Sequence, residues 1–142
     1  MKVPYIKKSD KLFLDPHAEL WKEAASGRFK LSQTPIKMVQ HLSPFMAEST
    51  EHGQVDQIEC RIAHNGSRLS ILVSWENEAK NDEIEDLDQF IDGVAVMFPF
   101  TDYASPMTMG DQENPVNAWM WRADQQDPYD VLAYGFGTSQ RR

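Results

Sequence analysis

Two thioethers stand two residues apart beside a glycine in the stretch Pro106-Met107-Thr108-Met109-Gly110-Asp111. Hydrophobic runs flank this loop on both sides: Phe90-Ile91-Asp92-Gly93-Val94-Ala95-Val96-Met97-Phe98-Pro99 before it and Asn114-Pro115-Val116-Asn117-Ala118-Trp119-Met120-Trp121-Arg122-Ala123 after it. A neutral, polarizable sulfur is a soft ligand. It suits a soft metal or a haem iron, where it favours the ferrous state and raises the potential. The same softness lets methionine fill gaps between aromatic rings, and Met97, Met107, Met109 and Met120 all lie in this aromatic block. If the loop is extended, residues two apart point to opposite sides, so only one of Met107 and Met109 faces a given pocket. Gly110, having no Cβ, lets the backbone come close to a flat ligand.

Other chemistries find little support. Histidines occur at 17, 41, 52 and 64, none at metal-ligand spacing with another. Cys60 is the only cysteine, which excludes a disulfide framework and a multi-cysteine zinc site. Without Cys-x-x-Cys-His, covalent c-type haem attachment is excluded as well. Neither a Gly-x-Ser-x-Gly elbow nor a phosphate-cradling glycine loop is present. Eight carboxylates crowd residues 76–92, but solvated carboxylates keep near-normal pKa values and make poor general acids. Nothing here marks a catalytic site.

Those eight acids are opposed by Lys80 alone, so the segment carries −7 of the chain's net −8. An acidic run of this kind repels phosphate backbones, and nucleic acid is not an expected partner. The run reads as a solvated loop or as a docking surface for a basic partner. No stretch approaches the roughly 18 apolar residues of a membrane span. Residues 1–11 carry charges and no apolar h-region, so no secretory signal is visible.

The elements that must position the loop read mainly as strands within one domain, residues 1–142. Asp15 as cap and Pro16 at the first helical position predict a short helix over 16–25, with Leu20, Trp21 and Ala24 on its apolar side. Residues 36–42 form a short, mixed strand. Ile58, Cys60 and Ile62 alternate with Glu59 and Arg61, and Leu69, Ile71, Val73 and Trp75 with Ser70 and Ser74, around Asn65-Gly66, the signal of a hairpin with a type I′ turn. Residues 76–88 form a polar connector. Residues 90–98 predict a strand apolar on both faces, as in the middle of a sandwich, ended by Pro99. The loop 101–114 is long enough to be functional. Residues 116–123 predict a strand with Asn117, Trp119 and Trp121 on one face and Ala118 and Met120 on the other. A turn over 124–130 precedes a last strand over 131–136. Short strands joined by turns predict an all-β fold, an antiparallel sandwich with a short N-terminal helix.

The order and spacing of Trp75, Asp92-Gly93-Val94-Ala95-Val96-Met97-Phe98-Pro99, Met109-Gly110-Asp111, Pro115-Val116-Asn117-Ala118-Trp119-Met120-Trp121-Arg122-Ala123 and Ala133-Tyr134-Gly135-Phe136-Gly137 resemble a known group. It is the haem b-binding γ subunits of the type II branch of the dimethyl-sulfoxide-reductase family, the ethylbenzene, dimethylsulfide, chlorate and selenate oxidoreductases. The resemblance covers residues 55–137. It implies an immunoglobulin-like or carbohydrate-module-like β-sandwich holding one non-covalent haem b between an axial methionine and an axial lysine. By position the methionine is Met109, with Met107 its rival, and Trp119 and Trp121 pack near the pocket. The family's lysine lies beyond the Gly-Phe-Gly region, whereas no lysine follows Lys80 here, so the second ligand is not identifiable and the chain is expected to lack the family's C-terminal part. The resemblance further implies a non-catalytic subunit of anaerobic respiration in the periplasm. Its partners would be a molybdopterin α subunit, an iron–sulfur β subunit and an external electron carrier. Two other readings fit the same strands: a sugar-binding module using Trp119 and Trp121 as a platform, and a structural subunit without haem.

Overall fold

The computed structural model describes residues 2–33, 35, 37, 55–77, 81–83, 91–125, 127–135 and 138–141. They are mostly β with little helix, as the alternating sequence implies. In order along the chain come helix α1 (Asp10–Phe13), a 3-10 turn (Glu19–Lys22), and strands β1 (Ala25–Lys30), β2 (Gln57–His64), β3 (Leu69–Ser74), β4 (Gly93–Pro99), β5 (Val116–Arg122), β6 (Tyr129–Ala133) and β7 (Ser139–Arg141). The strands form two antiparallel sheets, β1-β2-β3 and β4-β5-β6-β7. The chain divides into two compact units, residues 1–34 with 50–78 and residues 35–49 with 79–142.

In the first unit, Ile6, Phe13, Leu20, Trp21 and Ala63 form a buried cluster, with Ala18, Ala24 and Leu72 packed against it. Phe13 and Trp21 meet edge to face, centroids 5.8 Å apart, the arrangement their ring quadrupoles favour. The indole N–H of Trp21 donates to the Asp15 carbonyl at 2.9 Å, so the buried ring carries no unmet donor. The expected helix over 16–25 is reduced to the 3-10 turn at 19–22. The Asp15 carboxylate accepts from the His17 N–H at 2.9 Å, which makes a local turn where a helix would start. At the other end Ala25 pairs with Ile62 and is drawn into β1, a strand the sequence did not announce.

The hairpin of β2 and β3 stands where alternation puts it, with His64 opposite Leu69. Its turn is not type I′. Gly66 has φ +94°, but Asn65 keeps a negative φ and its side-chain oxygen accepts from the Ser67 and Arg68 amides at 3.1 and 3.0 Å. A side-chain cap thus replaces the second left-handed residue and spreads the turn over 65–68. Cys60 is half-buried within β2, where loss of solvent raises its thiol pKa.

The second unit holds a meander, β4-β5-β6-β7, that carries the candidate loop. Antiparallel register sorts its residues into two faces. Val116 and Ala118 pair with Ala133 and Val131, and all four are buried. The other face holds Asn117 between Phe98 and Leu132, and Trp119 between Val96 and Asp130, as the period-two reading of 116–123 implies. Three expectations change. Among the described residues β4 is an edge strand, not a central one, and Ala95 is exposed. The last predicted strand shifts to 129–133, because Tyr134 and Gly135 are taken into a turn closed by the Thr138 N–H on the Gly135 carbonyl at 3.2 Å. After that turn comes β7, three exposed residues without a hydrophobic pattern. The expected strand over 36–42 and most of the acidic run lie outside the described residues.

Candidate functional site: the methionine loop

The loop from 100 to 115 is held by its own polar groups. At its neck the Phe100 N–H donates to the Pro115 carbonyl at 3.4 Å, and the Thr101 hydroxyl donates to the Asn114 side-chain oxygen at 2.8 Å. Inside it, the Ala104 N–H reaches Thr101, the Met109 N–H reaches Pro106 at 3.4 Å, and the Gly110 N–H reaches Ser105 at 2.9 Å. The Asp111 carboxylate accepts from the Glu113 and Asn114 amides, each at 2.8 Å, while the Asp111 N–H returns to the Asn114 carbonyl at 3.1 Å. Those bonds to the charged form hold the Asp111 carboxyl below its ordinary pKa.

Met109 has φ +58°, the only non-glycine residue with a left-handed backbone among those described. An unbranched side chain in that region is uncommon and costs free energy, and such outliers gather at functional sites. Bonds on both sides impose it. The Met109 carbonyl accepts from the Gly135 N–H at 3.2 Å, and Gly110 bridges to Pro115. The loop is therefore turned rather than extended, and the two methionines differ by environment: Met109 is half-buried, Met107 57 % exposed.

Gly110 is buried with φ +77°, and a Cβ there would lie 2.5 Å from the Asn114 carbonyl oxygen and 3.1 Å from the Val116 nitrogen. What comes close to Gly110 is thus the chain's own backbone, not a flat ligand. Its missing side chain lets the loop close onto the start of β5.

The tryptophans stand apart from this knot. Trp119 is four residues beyond Pro115, about 13 Å along the strand, and Trp121 two residues further, about 20 Å. The ring contact of Trp119 is with Phe98, centroids 4.7 Å apart at a tilt of 54°. The structure brings together Met109, Gly110, Pro115 and Gly135. It groups Trp119 with Phe98 on a separate part of the sheet. Sequence reasoning gave no site role to Thr101, Asn114 or Gly135, although Gly135 stands in a stretch that carries the resemblance. The Asp111-x-x-Asn114 spacing of a side-chain-capped turn was the one available signal.

Between these groups sits Asn117, whose side-chain oxygen is buried and has no hydrogen-bond partner among the described residues. An acceptor in that state calls for a donor from water or a ligand.

The family model described as ethylbenzene dehydrogenase matches residues 18–142. The chain belongs to this family. Among its relatives is the chlorate reductase γ subunit of Ideonella dechloratans, 33 % identical over 125 residues that make up 87 % of this chain and 48 % of that protein. A second is the putative respiratory nitrate reductase heme subunit ORF7 of Haloferax mediterranei, 28 % identical over 127 residues, 89 % of this chain and 42 % of that one. The chain thus spans just under half the length of each of these relatives. A thioether is a donor that a haem iron accepts, and Met109 carries one, half-buried, on a turned, hydrogen-bonded loop.

Proposed function

We propose that this ethylbenzene dehydrogenase family member is a non-catalytic, haem-binding electron-transfer subunit of a molybdenum oxidoreductase, with Met109 as one axial ligand of a non-covalent haem b. Family membership supports the role, as do relatives named as a γ subunit and a heme subunit. The observation that supports the residue assignment is the left-handed backbone at Met109, held from both sides by hydrogen bonds. When bound, haem supplies a one-electron carrier cycling between ferric and ferrous iron. The chain's part is to present the Met109 sulfur in a fixed direction and to raise the potential through that neutral donor. Expected partners are a molybdopterin α subunit, an iron–sulfur β subunit and an external carrier, in a periplasmic complex.

A sugar platform is less well supported. That reading needs Trp119 and Trp121 as open faces, and the Trp119 ring is already engaged by Phe98, centroids 4.7 Å apart at a tilt of 54°. Haemin titration tests the haem reading. The protein is expected to develop a Soret band that shifts on reduction, and Met109→Leu is expected to change the reduced spectrum while far-UV circular dichroism stays the same. No Soret shift with wild-type protein would overturn the proposal.

A further inference from the structure

We infer that the Thr101–Asn114 hydrogen bond is a latch that aims Met109, making both of them positioning residues for the iron ligand; this rests on the reading of Met109 as that ligand. Asn114 has three simultaneous roles. Its amide nitrogen lies 3.3 and 3.5 Å from the two Asp111 carboxylate oxygens, which only accept, so that side of the amide must be the NH2 group. The other side is then the oxygen, and it takes the Thr101 hydroxyl proton at 2.8 Å. The Asn114 main chain closes the turn with Asp111, and its carbonyl oxygen lies 2.5 Å from where a Cβ on Gly110 would be. Gly110 follows Met109 directly. Any shift of Asn114 is therefore felt by the peptide that sets the direction of the Met109 side chain.

Thr101 supplies the fixed point. It follows β4 by two residues, and the neighbouring Phe100 N–H is bonded to the Pro115 carbonyl. Its hydroxyl thus ties Asn114, at the far end of the loop, to the exit of β4. With the latch made, the loop is a closed ring anchored at its neck, and Gly135 fastens Met109 from outside. With it broken, the 111–114 turn keeps its own bonds but can swing on its neck, and the sulfur samples more directions. A ligand that is no longer preorganised binds its metal less tightly.

Thr101→Val removes the hydroxyl while keeping shape; Thr101→Ser keeps the hydroxyl. Two readouts apply to the full-length protein. In the apoprotein, amide exchange at Gly110 is expected to quicken about fivefold in Thr101→Val, the weight of one ordinary hydrogen bond, and to be normal in Thr101→Ser. With haemin bound, Thr101→Val is expected to weaken haem binding about fivefold and lower the midpoint potential, and Thr101→Ser to restore both. Unchanged Gly110 exchange in Thr101→Val overturns the latch. So does a wild-type spectrum and potential in Thr101→Val while Met109→Leu alters both. If Met109→Leu itself keeps the wild-type spectrum, the ligand reading fails and the inference falls with it.

Discussion

Gly135 donates its N–H to the Met109 carbonyl across 3.2 Å, joining the β6–β7 turn to a residue 26 positions earlier. Both partners have positive φ, +113° at Gly135 and +58° at Met109. The cost differs between them. Glycine adopts its angle freely, whereas methionine needs the surrounding bonds to hold it there.

Gly135→Ala is accordingly expected to destabilise the protein by about 1–3 kcal/mol, because an L side chain at φ +113° is strained whatever room it has. Space is not the obstacle: a Cβ would meet the Gly110 carbonyl oxygen at an ordinary 3.5 Å. Urea unfolding checks the value. A loss under 0.5 kcal/mol, well short of the strain expected, would mean the turn relaxes without disturbing Met109.

Gly110→Ala meets two obstacles where Gly135→Ala meets one. The angle is +77°, and the new Cβ would stand 2.5 Å from a backbone oxygen that cannot rotate away. Backbone shift adds to strain, so a loss of about 2–4 kcal/mol is expected. Met109→Leu, in contrast, keeps volume and is expected to lose less than about 1.5 kcal/mol. Thermal unfolding of the two variants side by side decides the order.

These contrasts show why the fold was legible in part. The β2–β3 hairpin was readable because Ile58, Cys60 and Ile62 alternate along a half-buried strand. Its turn type was not, since Asn65 can satisfy the turn with its side chain as well as with a left-handed backbone. β1 was hidden because Ser26, Arg28, Phe29 and Lys30 are exposed, and the strand exists through its ladder to β2 rather than through a pattern of its own. The helix expected from Pro16 failed for the same reason: pairing of Ala25 outweighed local propensity. At the site, methionine chemistry singled out a loop whose geometry it could not foresee. Its geometry depends on Thr101, Asn114 and Gly135, polar and small residues that carry no hydrophobic period.

Trp21 offers a test in the other unit. It is 4 % exposed, packs edge-on with Phe13, and bonds to the Asp15 carbonyl. Trp21→Phe keeps a ring but strips the carbonyl of its donor, for an expected loss of about 1–3 kcal/mol. Trp21→Ala removes the ring as well and is expected to cost about 3–5 kcal/mol. Equal losses in chemical denaturation would mean that the hydrogen bond, not the packing, holds this segment.

Acid is expected to loosen the methionine loop. The Asp111 carboxyl is held below its ordinary value chiefly by the Asn114 and Glu113 amides. A depressed folded-state pKa contributes stability above the unfolded value and loses it as pH falls through the folded one. Amide exchange at Glu113 and Asn114, corrected for the intrinsic pH dependence, should therefore gain freedom only below the usual aspartate range. Asp111→Asn should remove that dependence. A transition centred near the ordinary aspartate value would show that those amides do not favour the carboxylate.

Asn117 sets the sharpest contrast between fold and function. Its side-chain oxygen is buried, with no partner among the described residues, and the residue lies between Phe98 and Leu132 in the ladder. An acceptor that no donor meets costs about 1–3 kcal/mol, and an apolar group of like shape in its place would relieve that cost. Asn117→Leu is therefore expected to raise the unfolding midpoint of the apoprotein. If the acceptor serves only the fold, haemin binding should be untouched. If it awaits a donor from a bound group, the stabilised variant should bind haemin less tightly than wild type. A residue that lowers stability alone and raises affinity when loaded is placed for function, as sites that break local rules are expected to be. A lower midpoint in Asn117→Leu would instead show that a water already meets the oxygen in solution.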